Sequence, residues 1–482
     1  MSHNLICLLK LIISNNSAVL ITGSKRLRRV ELVQGLRQGC ALSPTLFMLY
    51  ISRLERRLVE SGRGVKIRTS KNIFENKESR VRVIPGVLYA DDLLLLAHSW
   101  SEMKQLLQIT TEVGNELRLV FNPKKSAVLD FNEPGSGVNP ELSIQGLVIP
   151  TAKSYKYLGI TLCNNRNYLS EQEKVWKEKS TKALRQMYAK SLWKFNRFEV
   201  TKIRWKATCV PALTYCNSVL TASADTRKRL ETSQREAGKW ALGQPTFNIA
   251  YEFIEGELGW ASYESREAKS KILFFARLER MPSYRWPKAI LEAMKTCNIF
   301  SEAYKRMKHL SRLYECEFDE PQHVESEERH WRAFRNDVCD RIRTFTDREW
   351  RENMETKPSL KRYRQHKMNR GTIDHVYDNT RGSTLLAGAR AGFLNTNPFR
   401  ARFEEIDGKC ELCDCHNETL GHVIMECDEE NSSEPEIRKR LGLHEDSTRE
   451  TVERTKRSLE RWERETKRYV PCKRRINQPI TS

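Results

Sequence analysis

The sequence predicts an α+β protein: an antiparallel sheet with helices first, then a long helical stretch, a small metal-binding module and a charged helical tail. Three observations predict it. Val87 to Tyr89 and Leu93 to Ala97 are apolar runs flanking the adjacent carboxylates Asp91 and Asp92, the pattern of a buried β-hairpin with acids at its tip. From about residue 165, Val175-Trp176, Ala183-Leu184, Met187-Tyr188 and Leu192 recur at helical spacing. Near the C-terminus Cys410, Cys413, His422 and Cys427 fall close together.

Composition narrows the class. The 482 residues suffice for about three domains. Hydrophobic residues make up 39% and charged residues 30%, so the chain is globular but polar. Its 83 Lys+Arg against 62 Asp+Glu leave a formal charge of +21, which favours a polyanionic partner, nucleic acid first. No long basic amphipathic helix with a strong apolar face points to a membrane. The 13 Cys are scattered apart from one cluster, the usage of an intracellular protein, nuclear or cytoplasmic and not secreted, rather than of a disulfide framework. Leu5 to Ile13 is apolar, interrupted by Lys10 and too short to span a bilayer, so it is expected as a core helix.

In chain order, Ser17 to Gly23 follows as a strand, and Lys25 to Arg29 as a basic run, either a phosphate contact or a solvated face. Gly35-Leu36-Arg37-Gln38-Gly39 is a loop whose glycines permit close backbone approach. Ser43 then Pro44 opens a helix as N-cap and first helical residue, with Leu46, Phe47, Tyr50, Leu54 and Leu58 as its buried stripe. At the hairpin tip, Asp91 and Asp92 repel each other, and a hard divalent cation such as Mg²⁺ is the usual counter-charge. A plain acidic turn is the alternative.

The order of these pieces resembles the reverse transcriptases of non-LTR (LINE-like) retrotransposons: Gln-Gly-Cys-x-Leu-Ser-Pro entering a helix, then Tyr-Ala-Asp-Asp in an apolar hairpin about fifty residues on. The resemblance implies that Gln38 and Gly39 abut the templating base and incoming nucleotide. It implies that Tyr89, Asp91 and Asp92 form the catalytic hairpin, the two acids holding Mg²⁺ or Mn²⁺. RNA template, DNA primer and, if the chain is active, dNTP would be the ligands. Ser99 to Glu102 offers a capping box for a helix with Met103, Leu106, Leu107, Val113 and Leu117 as its apolar face. Phe121-Asn122-Pro123-Lys124-Lys125-Ser126 is similar to the loop whose lysine approaches the triphosphate, a role that falls on Lys125, a solvated lysine being the alternative. Tyr155 to Leu162 alternates like a strand and resembles the primer grip, centred on Leu158 and Gly159. Gly135 to Gly137 reads as a turn.

The implied architecture is a partial right-hand polymerase palm (1–165), a helical thumb (166–280), a helical basic linker (281–400), a CCHC zinc knuckle (401–430) and a charged helical tail (431–482). Arg204 to Tyr215 and Gln234 to Gly243 resemble the thumb, where basic residues would position a duplex through its backbone. Lys361-Arg362-Tyr363-Arg364 and Arg370 form a basic, aromatic cluster suited to single-stranded nucleic acid, or a solvated face. Gly382 to Asn397 is rich in small residues and expected as a loop or junction. The spacing C-x2-C-x8-H-x4-C fits a closed tetrahedral Zn²⁺ site made by Cys410, Cys413, His422 and Cys427, with Cys415 or His416 able to substitute. The helix from about 449 to 475, ending in Lys473-Arg474-Arg475, is expected to be solvated.

In that family a third carboxylate from an earlier strand joins the metal site, whereas this chain has no Asp before Asp91. The expectation is therefore a reverse transcriptase cut off at its N-terminus, polymerising poorly or not at all. A zinc-knuckle remnant that binds RNA or DNA without catalysis is the competing reading.

Overall fold

The computed structural model describes residues 3–14, 17–23, 25–31, 35–36, 39–68, 81–131, 140–165, 167–188, 196–244, 249–316, 327–371, 376–414, 416–427 and 433–466. Gln38, Gly135 to Gly137, Cys415 and Lys473 to Arg475 lie outside the described residues. Two compact units divide the chain, Met1–Tyr155 and Lys156–Ser482. The architecture is mixed: helices with small antiparallel sheets, each of two strands among the described residues.

In the first unit the helix His3–Ser14 and the hairpin of Ser17–Thr22 with Lys25–Glu31 come first. Leu8, Leu11 and Ile12 are exposed, so this helix is not the core element its apolar run predicts. Amphipathic periodicity makes a helix but does not supply the surface that would cover it.

The core of this unit lies between the helices Ser43–Glu60 and Trp100–Glu116, where Ile51, Leu54 and Leu58 pack with Leu106 and Val113 beneath Leu88, Leu93 and Leu95 of the Asp-Asp hairpin. The inward stripe runs Phe47, Ile51, Leu54, Leu58. Tyr50, one residue out of phase with Ile51, is exposed and gives its hydroxyl to the Leu117 carbonyl. The Ser43–Glu60 helix starts one residue earlier than its Ser-Pro signal suggests: Leu42 is the cap and Ser43 is already helical.

Ser99 does cap its helix, accepting from the Glu102 N–H at 3.1 Å. The Glu102 carboxylate completes no reciprocal box. It accepts instead from the backbone N–H groups of His98 (2.8 Å) and Gly64 (2.9 Å), tying the helix start to the neighbouring hairpin of Val65–Arg68 with Val81–Ile84.

The second unit is helical. One apolar core runs from Ala183 to Trp462, taking in Trp205, Phe253, Trp350, Tyr363, Tyr377, Leu386, Ile424 and Leu459. A second core joins the helices Tyr263–Glu279, Trp286–Cys297, Glu302–Leu313 and Glu327–Glu355.

Two expectations change here. Gly382 to Asn397 is only partly a loop: Arg381–Arg390 is a helix, buried from Gly382 onward, and 391–396 is the connection that follows it. Its small residues exist for close packing, since a Cβ on Gly382 would lie 2.7 Å from Lys456 Cβ and O. Nor is the late charged helix, Arg449–Glu465, solvated on all sides, because Val452, Leu459 and Trp462 sit in the core.

At the centre of this unit the fully buried Glu257 accepts from Arg390 (2.9 Å), Tyr363 (2.7 Å) and Tyr377. Arg390 also donates to the carbonyls of Leu441 (2.6 Å) and Gly442 (3.1 Å). Burial alone would raise the Glu257 carboxyl, but the Arg390 and Lys367 charges and the two tyrosine hydroxyls hold it down at about 2.

Candidate active site and metal centre

Cys410, Cys413, His422 and Cys427 converge so that one ligand atom from each lies within 4.8 Å of the others. Local backbone geometry does this. Asp414 takes a left-handed φ of 53° after the Cys410–Cys413 turn, and Glu426 (61°) and Cys427 (65°) do so after the short helix Leu420–Ile424. Thr419 caps that helix at the His422 N–H (3.2 Å), fixing the imidazole's starting point. The Cys410 and Cys427 sulfurs stand 3.8 Å apart, against an edge of about 3.8 Å for two thiolates on a tetrahedral Zn²⁺. Cys413 Sγ lies 3.4 Å from His422 Nε2.

Without a cation, burial and the neighbouring Cys410 and Cys413 thiols push the Cys427 thiol up to about 12. A divalent ion would relieve that mutual repulsion. The donor set therefore fits structural zinc. His416, an alternative ligand from sequence, lies outside the group of four.

The centre is anchored into the core. Glu418, 0% exposed, accepts from Trp462 Nε1 (2.9 Å) and from the Asn397 N–H (2.6 Å). Ser458 of the late helix donates to Glu426 (2.7 Å). Sequence reading missed Glu418 and Trp462 in this role, and no local signal could have found a pair 44 residues apart.

The Asp-Asp hairpin pairs Gly86–Tyr89 with Asp92–Leu95 in the register Tyr89↔Asp92, Leu88↔Leu93, Val87↔Leu94 and Gly86↔Leu95. Its loop is two residues, Ala90 and Asp91. Such loops need positive φ, and Ala90 supplies it at 52°, a conformation L-residues disfavour by about 1 kcal/mol. Gly86 is required at the other end, where a Cβ would sit 2.2 Å from the Leu94 carbonyl oxygen. The hairpin is half-buried rather than buried: Leu93 to Leu95 are partly covered, while Tyr89, Asp91 and Asp92 are exposed. Two carboxylates offer hard oxygen ligands suited to Mg²⁺. Among the described residues no third His, Cys, Asp or Glu joins them in a metal-holding group, so the fit to the ion is partial.

Gly39 is exposed with φ 84°, and among the described residues nothing lies within 4 Å of where its Cβ would be. The left-handed turn, not crowding, calls for glycine there. Lys125 ends a tight turn, Pro123–Lys125, capped by the Asn122 side chain at the Lys124 N–H (3.1 Å). Its side chain is exposed and its carbonyl accepts from the Tyr155 hydroxyl. Leu158 and Gly159 fall at a turn instead of mid-strand: Ser154–Tyr157 pairs with Ile160–Cys163, and the two turn residues have φ of 46° and 81°. Tyr215 braces that turn, donating to the Leu158 carbonyl at 2.8 Å.

Residues 3–162 match the family described as reverse transcriptase (RNA-dependent DNA polymerase). The match takes in the Gly39 loop, the Asp-Asp hairpin, Lys125 and the Leu158-Gly159 turn. It supports reverse transcriptase activity, and with it nucleic acid substrates and divalent-metal use, in general terms. No curated protein matches the chain. The metal centre and the helical unit beyond residue 163 lie outside the reverse transcriptase match.

Outside that segment, the arginines of the basic cluster at Lys361 to Arg370 are engaged by protein partners, while Lys361 is exposed. Arg362 forks onto Glu434 (2.8 and 3.1 Å), Tyr363 is fully buried, and Arg364 donates to the carbonyls of Met354 and Glu355. Arg370 is held by Asp347 (2.6 Å) and Thr346 (2.9 Å). No helix among the described residues is long and apolar enough to cross a membrane.

Proposed function

We propose that this chain is palm, thumb and zinc knuckle of a non-LTR retrotransposon reverse transcriptase, acting inside the cell on an RNA template and a DNA primer. The observation that carries the reading is the Tyr-Ala-Asp-Asp tip: a two-residue turn presenting Asp91 and Asp92 to solvent, within a reverse transcriptase match and downstream of the Gly39 loop. Asp91 and Asp92 are the metal ligands. Bound divalent ions would activate the primer hydroxyl and steady the leaving pyrophosphate. Gln38, Gly39 and Tyr89 belong to the template and nucleotide site, Lys125 to the triphosphate, and Leu158-Gly159 to the primer. Cys410, Cys413, His422 and Cys427 hold Zn²⁺, which folds the knuckle and leaves no open position for catalysis.

Because no third His, Cys, Asp or Glu among the described residues joins Asp91 and Asp92, these 482 residues are expected to bind primer–template but extend it poorly. Primer extension on an RNA template with Mg²⁺, beside an Asp91→Ala control, tests this. Binding without extension is expected. Extension abolished by Asp91→Ala would keep the palm assignment and discard the incompleteness; extension that survives Asp91→Ala would sink the assignment itself.

A further inference from the structure

In the helical bundle around the second core, several acids hold basic partners. Glu264 and Glu267 hold Arg306 (2.6 and 3.3 Å), and Glu279 holds Lys288 (2.9 Å) and Lys295 (2.6 Å). On the long helix Glu327–Glu355, Asp337 holds Arg341 (2.8 Å) and Asp340 holds Arg343 (3.6 Å). Arg277, Arg329, Arg332 and Arg335 are exposed and take part in no ion pair found among the described residues. Glu328 and Asp337 are exposed acids close to them in sequence.

These arginines surround an aromatic centre. Arg280 lies over the Trp331 ring at 5.7 Å from its centroid, and Phe334 packs against the same indole at 5.9 Å. Arg277 is one turn before Arg280 on its helix. Arg332 and Arg335 follow Trp331 by one and four positions, which puts Arg335 on the indole's side of the helix and Arg332 beside it toward solvent. The exposed guanidinium groups of Arg277, Arg332 and Arg335, in no ion pair among the described residues, stand beside an indole and so combine phosphate attraction with a stacking surface, the two elements by which proteins hold single-stranded nucleic acid.

We propose that the surface formed by Arg277, Arg280, Trp331, Arg332 and Arg335 binds single-stranded polynucleotide, apart from the Asp-Asp hairpin. The partner class rests on the reverse transcriptase reading, but the site is a separate one. The Lys361 to Arg370 cluster is no rival, since its arginines are spent on internal partners.

The test measures binding of fluorescein-labelled oligo(U) and oligo(dT) to the full chain across a salt series. Arg277→Glu/Arg332→Glu/Arg335→Glu is compared with a charge-matched variant elsewhere in the same bundle, Lys269→Glu/Lys305→Glu/Arg312→Glu. All six residues are exposed, so thermal unfolding should match the parent in both. The expected result is an affinity loss of about tenfold or more in the first variant alone, with the slope of log affinity against log salt reduced by about two. Equal loss in both variants, or loss in neither, overturns the proposal. So does binding to phosphatidylserine vesicles that the first variant loses while oligonucleotide binding stays intact. Asp91 is untouched throughout, so this outcome and that of primer extension are read separately.

Discussion

In the first unit the two acids offered for chemistry stand at the tip of a hairpin of four-residue strands, half-covered at best, and both are in solvent. In the second unit the Cys410, Cys413, His422 and Cys427 cluster is wedged into a core that spans Ala183 to Trp462, and even its supporting carboxylate, Glu418, is fully buried. The contrast separates two uses of polar groups. Exposed carboxylates cost the fold little and remain available to a ligand, whereas buried ones are committed to internal partners and carry stability. Substitutions should therefore divide cleanly: those at the hairpin acids change activity without unfolding, and those at the buried polar groups of the second unit unfold.

The largest expected effect is metal removal. Structural zinc can contribute on the order of 10 kcal/mol where it alone organises a fold. Chelation should lower the melting temperature of the second unit and expose Cys410, Cys413 and Cys427 to thiol titration, while leaving first-unit hydrogen exchange unchanged. Next comes Glu257→Ala, which leaves Arg390 buried without its carboxylate and should cost about 3–5 kcal/mol by denaturant melting. The same pair sets a pH dependence. A carboxyl lowered to about 2 contributes stability that is complete above its ordinary value of 4.5 and is lost as the pH falls toward about 2. Acid unfolding of the parent should steepen in that window, and Glu257→Gln should flatten it.

Gly382→Ala follows, forcing a methyl to within 2.7 Å of the Lys456 backbone; a loss of about 1–3 kcal/mol is expected. The smallest effect is in the first unit. Ala90→Gly removes the left-handed penalty and should stabilise the hairpin by about 1 kcal/mol, visible as slower exchange of the Leu93 and Leu94 amides. If Asp91→Ala destabilised the fold by more than about 0.5 kcal/mol, the division between the two units would fail.

What the sequence made legible was local. Ser99 as a cap, the Asp-Asp hairpin and the Cys-Cys-His-Cys set each depend on residues a few positions apart, and each is found where its spacing put it. What it hid was long-range. Glu102 has the spacing of a capping box yet bonds to Gly64, 38 residues away, because another hairpin arrives there. Charge could not tell a ligand-facing arginine from Arg362, whose carboxylate partner is 72 residues on. Small residues at Gly382 to Asn397 signal either a loop or a tightly packed helix, and only the neighbouring helix decides between them. Ala90 carries no mark of its left-handed turn, since alanine is neutral at most backbone positions.

The core that joins Ala183 to Trp462 also has a consequence for biosynthesis. Glu257 leaves the ribosome 133 residues before Arg390, a delay of roughly 7 to 27 s at common translation rates of about 5–20 residues per second. Throughout that interval the carboxylate and the apolar helices around it lack their partners, and Trp462 comes later still. The second half of the protein is a structure that closes from its far end, so a nascent chain stalled before the last helix presents open apolar surface to chaperones instead of a finished domain.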